Sequence, residues 1–346
     1  MSSGTLEAMR TRGVPRMKIT ILEFTPCADL IYHLGRDPGE GYIDGDSGTV
    51  KIQTGARLRP RLITTYAGGK ATNIARVIDR LLTPDDRVEV ELVVFRPDSP
   101  EGRYIQELED RDLTRVKVKP IIIEAEARLC VNVSDPETGP VGHIEFNVSP
   151  RVHWDSAALE CALDVAAAVT SDLLIIAGSP PIVDRFGKTC DLYSQVIERL
   201  RHQVGVISLD TDKSALANCL KSPDQPDVIK INQQEYDSVE PDLWSGFRGI
   251  LIVTDPAGCS VWRNAGKPVR IAGATLSNLF STVGAGDAMH AGLSIAKWVR
   301  GYDLVQAARF GQAVAAAALT SPEASRGISG EVVERIFGEL QRTDVM

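Results

Sequence analysis

Six short, nearly unbroken apolar runs recur along the chain, with helical patterns between most of them. The runs are Ile19–Leu22, Val90–Phe95, Leu173–Ala177, Val204–Leu209, Val228–Ile231 and Ile250–Val253. Strands of a parallel sheet covered on both faces read this way, because neither face meets water. Between the runs, Ile74, Val77, Ile78, Leu81 and Leu82 fall at the i, i+3, i+4, i+7, i+8 spacing of one helical face. Leu159, Leu163, Ala166 and Val169 mark a second helix, and Leu192, Val196 and Leu200 a third. Ala288, Ala291, Gly292, Ile295 and Val299 mark a fourth, and the alanine run Ala313–Ala318 reads as a close-packed helix. Strand–helix alternation of this kind predicts a doubly wound α/β layer.

Two stretches break the rhythm. Residues of about 29–66 are rich in Gly, Asp, Arg and Thr and show no helical stripe. Residues of about 116–148 alternate in polarity and carry the turn Asp135-Pro136-Glu137-Thr138-Gly139. Both read as hairpin material for a small separate sheet, inserted between core elements. The first 16 residues read as a flexible extension, and 17–346 as the folded domain. At 43% hydrophobic and 24% charged residues the chain has ample core material and is not of the disordered class. No apolar run reaches the ~20 residues of a membrane span. The net charge of −8 repels nucleic acid and anionic membrane on average, so neither is expected as a partner. The six cysteines are scattered, with no C-x-x-C and no zinc-type Cys/His spacing. They are expected to be reduced and mostly buried in a cytoplasmic protein. His33, His143, His153, His202 and His290 stand alone and read as surface or hydrogen-bonded histidines.

The segment that carries most chemistry is Ser281-Thr282-Val283-Gly284-Ala285-Gly286-Asp287, which opens an amphipathic helix. The first amides of a helix lack intrahelical acceptors, and with the helix dipole they favour an anion such as a phosphate. Asp287, in the first turn, can take a proton from an attacking hydroxyl beside that anion. The competing reading is a glycine-rich turn with Asp287 as a capping carboxylate. Met289 stands where a dinucleotide fingerprint has its third glycine, and no P-loop motif occurs in the chain.

Two further constellations stand out. Ala67-Gly68-Gly69-Lys70-Ala71-Thr72-Asn73 precedes a strong helix, and Lys70 and Asn73 offer donors to hydroxyls or phosphate. Lys230-Ile231-Asn232-Gln233-Gln234-Glu235 leaves a strand at its carboxyl end, where open α/β sheets bind ligands. A turn with an N-cap is the plainer reading of the first, and a helix capped by Asn232 that of the second.

In this order and on this α/β pattern, AGGKATNIA at 67–75, Asn232-x-x-Glu235 and Ser281–Asp287 resemble the signatures of the PfkB family of ribokinase-like carbohydrate kinases. The resemblance runs from about Lys18 to Phe337. It is strongest to the branch holding 1-phosphofructokinase and tagatose-6-phosphate kinase. That branch opens with Thr-Leu-Asn-Pro-Ala-x-Asp, of which Phe24-Thr25-Pro26-Cys27-Ala28-Asp29 keeps the Pro and Asp. Ile144-Glu145-Phe146-Asn147 matches a second branch segment, and Glu126-Ala127-Arg128 stands where the branch has Glu-Thr-Arg.

The resemblance implies a ribokinase-like doubly wound, mostly parallel sheet with helices on both faces, plus a small β-sheet lid that excludes water and would pair two copies as a homodimer. It implies ATP-dependent phosphoryl transfer to a hydroxyl of a sugar phosphate, with Mg²⁺. Asp287 would be the base, and the amides of Gly284, Ala285 and Gly286 the anion hole. Asp29 and Asn73 would hold sugar hydroxyls beside Gly68 and Gly69, with Lys70 and Arg128 facing the substrate's own phosphate. Asn232 and Glu235 would organise Mg²⁺ through water, and Lys230, Thr254, Gly258 and Ser281 would lie along the nucleotide. Departures fall on substrate and nucleotide contacts: Thr25 and Cys130 each replace the branch's Asn, and Ala71 its Gly. Asp255-Pro256-Ala257-Gly258-Cys259 is short for the nucleotide loop, and Ser179-Pro180-Pro181-Ile182 also differs. They leave two alternatives open: a kinase of an unphosphorylated sugar or nucleoside, and a sugar- or nucleotide-binding sensor with little turnover.

Overall fold

A computed structural model describes residues 16–34, 42–44, 49–51, 60–134, 143–148, 154–182, 191–264, 266–276, 279–280, 282–321 and 323–343. The expected N-terminal extension lies, but for Arg16, outside them, as does Ser281. The strands in chain order are β1 (Met17–Glu23), β2 (Cys27–Leu34), β3 (Tyr42–Asp44), β4 (Thr49–Lys51), β5 (Pro60–Gly68), β6 (Val88–Pro97), β7 (Lys117–Ile123) and β8 (Arg128–Ser134). There follow β9 (His143–Val148), β10 (Ser171–Ala177), β11 (Val204–Asp210), β12 (Val228–Asn232), β13 (Ile250–Asp255), β14 (Gly258–Arg263) and β15 (Val269–Ala272).

The six apolar runs form β1, β6, β10, β11, β12 and β13, all in one nine-stranded sheet of order β15-β14-β13-β12-β11-β10-β1-β6-β7. Pairing is parallel from β13 through to β7, and antiparallel only at the β14–β15 end. The two-residue pleat sorts side chains between two cores. Ile19, Ile21, Leu173 and Ile175 enter one; Leu22, Leu174 and Ile176 enter the other. The first core is roofed by α1 (Lys70–Leu81), and the second by α3 (Ser156–Ala167), α4 (Leu192–Leu200) and α5 (Lys213–Lys221), with α2 (Pro100–Asp112) between β6 and β7 in sequence. After the short α6 (Gln233–Asp237) and α7 (Pro241–Ser245), α8 (Ala285–Ser294), α9 (Leu304–Leu319) and α10 (Gly330–Thr343) complete the first core. The alanine run lies in α9, where small residues let α8 come close. A methyl on Gly292 would sit 2.6 Å from Val314, and one on Gly311 would sit 2.8 Å from the Met289 carbonyl.

The small sheet has the order β5-β2-β8-β9, with β3 and β4 paired apart from it. Its β2 runs parallel to β8, so it is not a stack of simple hairpins. One expectation is corrected here. Residues 117–123, assigned to the small sheet, form β7 at the parallel edge of the large one. An edge strand is wet on one side, so its alternation imitates a hairpin. Among the described residues no helix is long and apolar enough to cross a membrane.

The chain passes from β1 outward to β6 and β7, then returns to place β10 on the other flank of β1. The reversal leaves a crevice beyond the carboxyl ends of these strands, the place where such sheets hold ligands. Glu23, Asp210 and Asn232 end β1, β11 and β12 there.

Candidate active site

A cleft of about 630 Å³ opens at this edge, with the small sheet along one side. Of the expected residues, Asp29, Gly69, Lys70, Asn73 and Arg128 line it on one flank. Lys230, Asn232, Glu235, Thr254, Gly284, Gly286 and Asp287 line the rest. Gly68 reaches it indirectly: a methyl there would lie 2.3 Å from the Asp29 carboxylate. Gly258 is not part of the cleft wall. Its φ of +139° closes the tight β13–β14 hairpin, and a methyl would strike the Ile271 carbonyl at 2.1 Å, so its glycine serves the turn.

Helix α8 begins at Gly284, in the left-handed region at φ +75°. The first i to i−4 bond is Ala288 N–H to the Gly284 carbonyl, at 2.8 Å. The amides of Gly286 and Asp287 therefore have no acceptor within the helix. The Ala285 amide makes only a long turn contact, 3.4 Å, to the Thr282 carbonyl. Lys230 Nζ hangs over this end, 2.9 Å from where a Gly286 methyl would stand. Helix dipole and ammonium thus favour an anion at the same point.

Asp287 is buried, and its Oδ2 accepts a 2.9 Å hydrogen bond from Asn73 Nδ2. The buried Arg76 guanidinium donates to Asn73 Oδ1 at 2.7 Å, which sets the amide so that its NH₂ faces Asp287. Asn73, expected at a sugar hydroxyl, is seen here to orient the Asp287 carboxylate. Burial, with the nearby Asp210 charge, pushes Asp287 up to about 6, against the pull of Lys70, Lys230 and Asn73. A base near this value is ionised at neutral pH yet has appreciable proton affinity.

Asp210 was not singled out from the sequence. It ends β11, is fully buried, and accepts from Lys70 Nζ at 2.7 Å and Lys230 Nζ at 2.9 Å. Burial alone would raise its pKa; the two ammonium groups outweigh this and hold it well below the usual carboxylate range. Lys70 in turn is held above its ordinary value, because Asp210 and Glu235 outweigh its own desolvation. His290 Nδ1 is 3.9 Å from Asp210, but burial pushes the imidazole down to about 4, so it is neutral and bonded to Ser208 at 2.6 Å. Asp210 therefore fixes two cations side by side above the α8 terminus.

Glu235 and Asn232 form a reciprocal capping box: Asn232 Oδ1 accepts from the Glu235 amide, and Glu235 Oε2 from the Asn232 amide, each at 2.8 Å. The capping carboxylate also lines the cleft, where its Oε1 accepts from Lys70 at 2.9 Å. Lys70, assigned to a substrate phosphate, is thus engaged by Asp210 and Glu235. Glu23, likewise unforeseen, is fully buried at the end of β1. It accepts from the Thr72 amide at 3.0 Å and the Thr25 amide at 3.2 Å, joining the start of α1 to the β1–β2 turn. Burial pushes it up to about 7. A methyl on Gly69 would stand 2.4 Å from its carboxylate.

Residues 43–329 match the pfkB family of carbohydrate kinases. A 1-phosphofructokinase of Haemophilus influenzae is 26% identical over 319 residues, covering 85% of this chain and 92% of the relative. Phosphofructokinase-2 from Escherichia coli superposes with a TM-score of 0.72 at 19% identity, over 95% of this chain and all of that one. A ribokinase from Thermotoga maritima superposes at 0.62 with 13% identity, over 94% of this chain and all of that one.

Proposed function

The chain belongs to the pfkB family of carbohydrate kinases, and from that premise we propose that it transfers the terminal phosphoryl group of ATP to a hydroxyl of a sugar phosphate. The observation that carries the reading is Asp287: a buried carboxylate near pKa 6, oriented by Asn73, in the first turn of a helix whose amides and Lys230 favour an anion. An acceptor hydroxyl beside Asp29 would give its proton to Asp287 as it attacks. Charge gathering on the transferred group would meet the Gly286 and Asp287 amides. Lys70 and Lys230, clamped by Asp210, would hold the donor's phosphates without having to move.

For Mg²⁺, the donor set supports Glu235. Its carboxylate faces the cleft and keeps lone pairs beyond the two bonds it accepts. Asn232 is given over to orienting Glu235. When bound, Mg²⁺ neutralises phosphate charge through its hydration shell.

The acceptor is read as already phosphorylated because Arg128 brings a cation to the small-sheet side of the cleft. ADP release measured over sugar phosphates, free sugars and nucleosides tests this. Turnover is expected on a sugar phosphate. Arg128→Ala should raise its KM about 10- to 100-fold, the value of a hydrogen bond to a charged group, while kcat moves less. Turnover confined to a free sugar or nucleoside, with KM indifferent to Arg128, would refute the substrate class. Ligand-induced stabilisation without ADP release would point to a sensor.

The small sheet leaves Leu62, Ile63 and Leu129 exposed, at 56%, 52% and 36%. This supports a second copy covering the sheet in a homodimer. Light scattering is expected to give twice the chain mass, and a monomer at micromolar concentration would overturn it.

A further inference from the structure

The sugar end of the cleft holds a feature that phosphoryl transfer does not use. Strands β2 and β8 run parallel with Cys27 opposite Arg128 and Asp29 opposite Cys130. This puts Cys27 and Cys130 on a diagonal. Both are buried, at 3% and 5% exposure, yet both line the cleft with Asp29. Their sulfurs are 3.7 Å apart, and Cys27 Sγ is 3.4 Å from Asp29 Oδ1. The two sulfurs and a carboxylate oxygen all lie within 4.8 Å of one another. Neither thiol belongs to the motifs this chain shares with its family.

Two kinds of chemistry use paired thiols, and the geometry separates them. A disulfide needs Cα atoms within about 7 Å. A diagonal across strands about 4.8 Å apart, offset by two residues of about 3.3 Å each, spans roughly 8 Å. Oxidation would therefore have to move the backbone. A tetrahedral Zn²⁺ needs no such movement. With Zn–S bonds of about 2.3 Å and Zn–O of about 2.0 Å, sulfurs fall about 3.8 Å apart and sulfur to oxygen about 3.5 Å. The spacing here is already that of two edges of the tetrahedron.

We propose that Cys27, Cys130 and Asp29 form a binding site for a soft divalent cation, Zn²⁺ being the type, set into the floor of the sugar pocket. Three protein ligands leave a fourth position facing the cleft, open to water. Thiolate ligands select Zn²⁺ over Mg²⁺, which prefers oxygen, so the nucleotide's metal does not compete for it. Binding is balanced as Zn²⁺ plus two thiols plus one carboxylate giving a bis-thiolate carboxylate complex and two protons. Occupancy consequently strengthens as pH rises. Asp29 is the residue given above to a sugar hydroxyl. On that reading, metal at this site excludes the sugar, and zinc is an inhibitor competitive with it.

Titration of the reduced full-length protein with Co²⁺ tests the site apart from catalysis. One Co²⁺ per chain is expected, with the intense thiolate-to-metal absorption of a tetrahedral bis-thiolate complex, displaced by Zn²⁺. Calorimetry in buffers of different ionisation enthalpy should show release of about two protons per metal. Cys27→Ala and Cys130→Ala should each abolish the band, while Cys161→Ala, on α3, should retain it. No thiolate band in the unsubstituted protein overturns the site, whatever the variants do, and so does a band that survives both substitutions. In the kinetic arm, Zn²⁺ should raise the sugar KM and leave kcat. An unchanged KM in protein that shows the band overturns the competition and leaves the site standing. Absence of turnover on any acceptor refutes the proposed function without touching the titration.

Discussion

Asp287→Asn is expected to lower kcat by at least ~10²-fold, the low end of general-base catalysis, and the same substitution is expected to raise the melting temperature. Both effects come from one charge. Asp287 is buried beside Asp210, and its pKa is pushed up from an ordinary 3.8 to about 6. A carboxylate whose pKa is higher folded than unfolded is a cost to the fold wherever it is ionised. The cost is absent below the unfolded pKa, grows as pH climbs from about 4 to about 6, and is constant above. A rise of about two pKa units corresponds to about 3 kcal/mol. The amide replaces the charge with a neutral group of the same shape whose oxygen can still accept from Asn73, so much of that cost is relieved. Scanning calorimetry of both proteins at pH 4, 6 and 8 checks the sign: the variant should gain little at pH 4 and several degrees at pH 8. Wild-type turnover in the variant would remove Asp287 from the chemistry. A variant less stable at pH 8 would mean that the carboxylate holds the fold together.

What could be read from the sequence follows from what is local. The apolar runs show themselves because a strand covered on both faces must be apolar at every position. The α1 stripe shows because one helical face repeats within a dozen residues. Residues 117–123 escaped this logic: as the edge strand β7, mostly exposed, they alternate like a lid strand. At the site, Gly284 to Asp287 was legible because the helix start and its buried carboxylate are built from four consecutive residues. Asp210 and Glu23 were not, since each is one carboxylate ending an apolar strand. Their meaning arises only when the sheet sets β1, β11 and β12 side by side and brings Lys70 to Asp210 across 140 residues. A rule was at hand: acidic residues at the carboxyl ends of strands near a sheet's reversal deserve the same scrutiny as Asn232. The spatial surroundings of Lys70 were hidden for the same reason. Its neighbours in sequence suggested a sugar phosphate, while its neighbours in space are Asp210 and Glu235.

Asp210→Asn is expected to be the most damaging single substitution to the fold of the site. Its two oxygens are divided between two ammonium groups, Oδ1 to Lys70 and Oδ2 to Lys230. Lys230 is only 3% exposed and Asp210 not at all. Removing one partner of a buried pair leaves an uncompensated charge and costs about 3–5 kcal/mol. Here Lys70 keeps Glu235 and its side chain is 34% exposed, so the loss centres on Lys230. Acid should mimic the substitution. Asp210 is held below the usual carboxylate range, so its stabilisation is whole above the unfolded carboxylate pKa and fades as pH falls below it toward the depressed native value. Denaturant unfolding at pH 7 gives the cost, and a cycle with Lys230→Met gives its origin. If the damage is the stranded ammonium, the double variant should recover much of the lost stability, with coupling well outside the few tenths of a kcal/mol expected for independent sites. On the proposed function it should not recover activity, because the cation at the α8 terminus is then gone. Additive losses would instead mean that Asp210 and Lys230 act separately, and the cation pair above α8 would no longer be a single device.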